Sequence, residues 1–144
     1  MSRIFVLNGV NLGPLGGRRP EIYGEQTLQD VEQLLRNAFP DVEFEFRQTD
    51  HEGELVGWIH EAANSDGLVL NPGAWTHYSF AIHDALEIIS IPKVEVHISN
   101  IHSRGEAWRR ISVVSPVVDA VVAGMGVYGY RAAVGYILAA AQRD

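Results

Sequence analysis

Residues two positions apart in a strand face the same way, and the stretch 93–100, KVEVHISN, places an acid and an imidazole in that relation as Glu95 and His97. Val94, Val96 and Ile98 supply the branched apolar residues of a buried parallel strand. A strand covered by helices has little use for a carboxylate and an imidazole on one face unless they stand at its carboxyl end, where open α/β sheets bind ligands. Proton transfer is the chemistry such a pair performs, because a neighbouring carboxylate favours the protonated imidazole. The competing explanation is an ion pair satisfied within the core.

Cations are gathered in two further places, Arg18 with Arg19 and Arg104 with Arg109 and Arg110, all in segments that read as loops or short turns. The chain as a whole carries a formal charge of −7, and residues 1–66 hold 12 of its 18 acids but 5 of its 11 bases. No basic face for releasing counterions is evident, so nucleic acid is not an expected partner. Local cations on an acidic protein point instead to a small anionic ligand.

The elements that must position these groups alternate. Residues 4–7 form a short apolar strand, and after a Gly-rich loop Thr27 caps a helix striped by Leu28, Val31, Leu34, Leu35 and Ala38, which Pro40 ends. Val42, Phe44 and Phe46 alternate with charged residues as in a half-exposed edge strand, and Leu55, Trp58, Ile59 and Ala62 stripe a second helix. A buried strand over 68–70, a helix over 79–89, the strand from Lys93, an irregular segment, a strand over 117–122 and a helix over 130–141 complete five βα units. Right-handed crossovers and an edge position for the second strand predict a flavodoxin-like three-layer α/β sandwich on a parallel sheet of order 2-1-3-4-5. The 144 residues, 47% hydrophobic and 20% charged, suit a single domain over 1–144 with no membrane span. No secretory pattern opens the chain and there is no cysteine, which fits a cytoplasmic location and removes disulfides, thiolate metal sites and cysteine nucleophiles.

In a parallel sheet the segments after the strands converge at one rim. Asn8, Asn11, Arg18 and Tyr23 follow the first strand, NPGAWTH at 71–77 follows the third, and Ser99, Asn100, His102 and Arg104 follow the fourth. Taken singly, such asparagines are usually backbone caps and such histidines structural. Their meeting at one rim marks a candidate site.

Several mechanisms are disfavoured. GMGVYG at 124–129 spells GxGxxG, but the chain stops before the further strand and acid of a dinucleotide site, so a tight helix-packing turn is expected. No P-loop motif occurs, and a receiver-like module would need acids where Asn8 and Asn71 stand. His97, His102 and Glu95 lie within eight residues and lack a second cluster, so no metal is expected. Lys93, the sole lysine, sits at the entry of its strand, the wrong end for an imine.

What remains is chemistry by arginine, tyrosine, histidine and amides. NGVNLGPLGGRRPEIYG, NPGAWTHYSFAIHDAL, EVHISNIHSR and WRRIS, in that order, resemble type II 3-dehydroquinate dehydratase, essentially from end to end. The resemblance implies a cofactor-free enzyme of the shikimate or quinate pathway that converts 3-dehydroquinate to 3-dehydroshikimate by anti elimination of water through an enolate. It also implies a homododecamer, a tetramer of trimers. By position it makes Tyr23 the base, with Arg18 holding the tyrosinate, and His97 the proton donor, oriented by Glu95. Asn11 would help stabilise the enolate. Asn71, His77, Ile98, Ser99 and Arg109 would bind hydroxyls and carboxylate, Arg104 would lie near a lid, and Asp84 would reach a neighbouring subunit's site.

Physical chemistry accommodates these roles. A free phenol with a pKa of about 10 is ionised only about once in a thousand at neutral pH. A guanidinium at ~4 Å supplies ~4 kcal/mol at an effective dielectric of ~20, about three pKa units before desolvation. The chain departs from the family at Val10, where proline is usual, at His83, where arginine is common, and by one additional residue between Arg104 and Trp108, which leaves Arg110 a rival to Arg109. A flavodoxin-like protein that only binds a small anionic metabolite would use the same arginines but would need neither Tyr23 nor His97.

Overall fold

The computed structural model describes residues 1–142. Five parallel strands, β1 (Ser2–Asn8), β2 (Val42–Gln48), β3 (Gly67–Asn71), β4 (Lys93–His97) and β5 (Ala120–Ala123), form one sheet in the order β2-β1-β3-β4-β5. The helices are α1 (Pro20–Tyr23), α2 (Leu28–Ala38), α3 (Glu52–Ala62), α4 (Phe80–Ile88) and α5 (Tyr128–Ala141). No helix among the described residues is long and apolar enough to cross a membrane.

Strand alternation divides the core into two. Ile4, Val6, Val69, Val94 and Val96 pack with Val31 and Leu35 of α2 and with Val134 and Ile137 of α5. Phe5, Leu7, Leu68 and Leu70 face the other way, against Leu55 and Ile59 of α3 and Ile82 and Leu86 of α4. α2 begins where Thr27 and Asp30 exchange side chain-to-amide bonds of 3.1 and 3.0 Å, a reciprocal cap that satisfies two otherwise orphaned donors.

The structure departs from the sequence reading in several places. Residues 117 and 118 precede β5, which starts at Ala120: Pro116 opens a 3-10 turn (Ser115–Val117), and Val117 and Val118 pack onto the α4 side of the core. The Gly-rich loop contains the short α1, with Pro20 in its first turn and Arg19 in the left-handed region at φ 37°. Lys93 does stand at the entry of β4, yet its amine is not simply solvated, since it donates to the Ile89 carbonyl at 2.7 Å. GMGVYG is the expected turn: Gly124 and Gly126 have positive φ, and a Cβ on Gly129 would stand 3.1 Å from Val122 Cγ1, so α5 lies close on β5.

The crossover from β4 to β5 matters most for the site. It contains no α-helix; three 3-10 turns (Ile101–Ser103, Ala107–Arg110 and Ser115–Val117) carry the chain across. Beside Val114, Val117 and Val118, it brings the hydroxyls of Ser112 and Ser115 to the face of β4 that bears Glu95.

The carboxyl ends of β1 and β3 are joined by a buried polar chain. The Tyr130 hydroxyl of α5 donates to Asn8 Oδ1 at 2.7 Å and accepts from Asn71 Nδ2 at 2.8 Å. Asn8 Nδ2 in turn donates to the Arg47 carbonyl at 3.0 Å, and Asn71 Oδ1 accepts the Gly73 amide at 3.1 Å. Burial pushes the Tyr130 phenol well above its ordinary range, so it stays a neutral donor. Tyr130→Phe strands two buried amide groups and is expected to cost about 1–3 kcal/mol in urea-unfolding stability; an unchanged midpoint would show that the amides find other partners.

Candidate active site

At the carboxyl rim of the sheet, Arg18 and Tyr23 from the segment after β1, Asn71 and His77 at and after the end of β3, and His97, Ile98, Ser99, Arg104 and Arg109 from β4 onward line one cleft. A cavity of about 390 Å³ adjoins it beneath α1, sharing Tyr23, Ile98, Ser99 and Arg104. Two loops are pressed together to form the floor. Gly73 has φ 63°, and a Cβ there would stand 2.6 Å from the Val10 carbonyl oxygen, so the turn after β3 (Gly73–His77) closes directly on the loop after β1.

Tyr23 is met by two guanidinium groups in different ways. The Arg18 guanidinium carbon lies 4.5 Å from the centroid of the phenol ring, over its face. Arg104 Nη1 donates to the Tyr23 hydroxyl at 3.2 Å and to Ser99 Oγ at the same distance. The sequence reading had Arg18 holding the hydroxyl and Arg104 merely near the lid. In the structure the hydroxyl contact belongs to Arg104, since the chain between Ser99 and Arg104 folds back in a 3-10 turn toward α1.

Glu95 has no exposed surface, and His97 is 5% exposed. His97 Nε2 is hydrogen-bonded to Glu95 Oε2, so the ring nitrogen left for the cleft is Nδ1. Thr76 Oγ1 donates to the same oxygen at 2.6 Å and Ser112 Oγ at 2.9 Å, while Ser115 Oγ donates to Oε1 at 2.5 Å. Burial opposes ionisation of Glu95, but the bond and charge of His97 and the hydroxyl donors outweigh it and hold the carboxyl at about 2.

His77 donates from Nδ1 to the Ile111 carbonyl at 2.6 Å and packs edge-on to Trp108 at 5.1 Å. Burial lowers its pKa more than that hydrogen bond raises it, so the ring is neutral and presents an Nε2 lone pair. Arg109 lines the cleft and stacks 4.3 Å from the Trp108 ring centroid. Its Nε lies 3.1 Å from Glu106 Oε2 without hydrogen-bond alignment, and it has no other partner among the described residues.

Some expected residues are not brought together. Asn11 is exposed, in the left-handed region at φ 65°, with its amide bound to Asp50 Oδ1 at 2.9 Å; it does not line the cleft. Asp84 is exposed on α4, and Arg110 and His102 are exposed outside the cleft. Of the two rivals, Arg109 lines the cleft and Arg110 does not. Trp75 packs in the core, whereas Tyr78 is exposed. Among the described residues the side chains grouped closely enough for a metal are His83, Asp84 and Glu87. Both His83 nitrogens are occupied, by the Val113 carbonyl at 2.7 Å and Glu87 Oε1 at 2.8 Å, which leaves no lone pair for an ion.

Sequence reasoning missed Thr76, Ser112, Ser115 and Tyr130. The hydroxyls lie in ordinary turn sequence, and nothing in their spacing marks them. A buried acid at position 95 was the available signal, because it demands donors from somewhere.

A family model described as Dehydroquinase class II matches residues 2–138. The 3-dehydroquinate dehydratase of Kineococcus radiotolerans is 54% identical over 138 residues, 94% of each chain. That of Salinispora arenicola is 52% identical over 144 residues, covering 98% of this chain and 99% of its own. The crystal structure of the type II dehydroquinase from Butyrivibrio crossotus matches with a TM-score of 0.91 at 42% identity, over 94% of this chain and 97% of the other.

The depressed Glu95 carboxyl has a consequence for acid stability. A group held at about 2 when folded and near 4.5 when unfolded contributes stability that is fully present above 4.5 and disappears as pH falls toward 2. That contribution is on the order of 3 kcal/mol. Urea midpoints of the wild type should fall steeply over this interval, and those of Glu95→Gln, lower at neutral pH, should fall less; parallel curves would show that Glu95 does not carry the dependence.

Proposed function

The chain belongs to the class II dehydroquinase family, and on that premise we propose how its rim cleft converts 3-dehydroquinate to 3-dehydroshikimate, the dehydration step of the shikimate pathway. Tyr23, as tyrosinate, removes the proton from the carbon beside the ketone. The electron pair of that C–H bond moves onto the carbonyl oxygen, giving an enolate. Collapse of the enolate expels the β-hydroxyl on the opposite face, and His97 protonates it through Nδ1 so that water leaves. Glu95 takes no proton in this sequence; it fixes the ring and balances the imidazolium charge. Every step runs through side chains of this chain.

What supports these roles is the meeting, in one cleft, of the Tyr23 hydroxyl and the His97 ring, with two guanidinium groups against the phenol. An N–H directed at the oxygen stabilises the phenolate more directly than a cation over the ring face, so we assign the first role to Arg104 and a supporting one to Arg18. Arg109, which lines the cleft and whose Nε makes no hydrogen bond, suits the substrate carboxylate, with the Ile98 and Ser99 segment beside it. The lone pair of His77 and the Asn71 amide suit its hydroxyls. Asn11 can act only through water or after lid movement, given its exposed position.

We also propose assembly as a homododecamer, a tetramer of trimers, in the cytoplasm. Asp84 shares α4 with the exposed apolar side chains of Phe80 and Ile88, and a neighbouring subunit on that surface would cover them and bring the acid toward its own site. Light scattering is expected to return twelve chains; a fully active monomer would overturn the assembly.

Tyr23→Phe should lose nearly all turnover, followed by absorbance of the conjugated product, while calorimetry still detects substrate binding. Arg104→Gln should damage kcat at least as severely as Arg18→Gln. His97→Ala should slow turnover by roughly 10² to 10⁴, the usual contribution of a positioned acid. Activity of Tyr23→Phe within a few-fold of wild type would remove the phenol from the mechanism.

A further inference from the structure

The strap formed by residues 111–115 does more than close the core. Its Ile111 carbonyl holds His77, its Val113 amide donates to the Thr76 carbonyl at 2.7 Å, and its two serines bind Glu95. The proton inventory of these contacts is restrictive. Ser112 Oγ accepts the amides of Val114 and Ser115, each at 3.1 Å, so its one hydroxyl proton is turned inward. That proton has two destinations, Glu95 Oε2 and Thr76 Oγ1, both 2.9 Å away. Thr76 directs its own proton to Oε2 at 2.6 Å, and Ser115 directs its proton to Oε1 at 2.5 Å. Both carboxylate oxygens are thus met by hydroxyl donors, the arrangement that suits an ionised Glu95.

The charge on Glu95 decides the chemistry. If Glu95 is an anion, Nε2 of His97 carries a proton permanently, and a second proton on Nδ1 belongs to an imidazolium, a competent acid. If Glu95 held a proton and gave its hydrogen bond to Nε2, the Nδ1 proton would belong to a neutral imidazole, a far weaker acid. Three hydroxyls within hydrogen-bond distance of one carboxyl favour the first arrangement, because each can donate to an anion.

We propose that Ser115, with Ser112 and Thr76, is a positioning residue for the dehydration: the hydroxyl cage keeps Glu95 ionised and turned toward Nε2, and so makes Nδ1 the nitrogen that delivers the proton to the departing hydroxyl. Ser115 is the discriminating member, because its hydroxyl is the side-chain donor to Oε1 among the described residues. The inference rests on the assignment of His97 as proton donor. The charged or titratable groups facing Glu95 are His97 on its own strand and, farther off, His77 on the turn after β3, with Arg109 beyond His77; the strap contributes hydroxyls alone.

Two measurements test it. In the wild-type enzyme with ¹⁵N-labelled histidine, neutral His97 should show a protonated Nε2 and an unprotonated Nδ1; the opposite tautomer would overturn the proposal without reference to activity. In kinetics, Ser115→Ala should lower kcat on the order of tenfold with KM little changed, and should move the acidic limb of the kcat profile to higher pH, because a carboxylate with fewer donors protonates more readily. Ser115→Thr, which keeps the hydroxyl, should restore both. A fall in kcat with an unmoved pH profile, or no fall at all, would reduce Ser115 to a packing role. If Ser115→Ala does not fold, the tautomer measurement still decides. Unimpaired turnover by His97→Ala would instead defeat the assignment of the donor, a result distinguishable from failure of the cage because the tautomer is read independently.

Discussion

Taking an ionised carboxylate out of water costs several kcal/mol unless donors surround it, and Glu95, with no exposed surface, imposes that demand at the carboxyl end of β4. Much of the local architecture answers it. A helix in the β4–β5 crossover would present an apolar stripe to this face of the sheet; the chain passes instead through 3-10 turns and the segment between them, from which Ser112 and Ser115 reach the carboxylate. Thr76 arrives from the other side, on the turn after β3. With its remaining valency satisfied, the carboxylate has one partner left to orient, the His97 ring.

The opposite wall of the cleft is built on a different principle. Tyr23 sits on a four-residue helix that has no fully buried residue, and its half-buried ring is held between the edge of the core and the two arginines. Segments with few buried contacts open at low free-energy cost. The proposed acid and base thereby stand on parts of different burial: His97 is locked in the sheet, and Tyr23 is on a short helix at the surface.

Between the two walls runs the Tyr130 chain, which ties the ends of β1 and β3 to α5 and sets the turn that delivers His77 and Thr76. It explains why Asn8 and Asn71 stand where a signalling module would place acids. Each amide both donates and accepts within a buried network, a task that a carboxylate cannot perform.

Hydrophobic periodicity along the chain determined the sheet, its order and the rim at which the polar residues collect, because alternation and helical stripes are local patterns with one packing solution. The pairing of Glu95 with His97 was legible for the same reason, since side chains two apart on a strand share a face. The sequence also carried the family resemblance. It did not disclose that Arg104 rather than Arg18 touches the Tyr23 hydroxyl, that Asn11 stands outside the cleft, or that Thr76, Ser112 and Ser115 enclose Glu95. Those contacts join residues far apart in the chain, through turns whose course is set by packing rather than by periodicity. A hydroxyl in a turn looks alike in sequence whether it faces water or a buried carboxylate, and only the tertiary fold decides which.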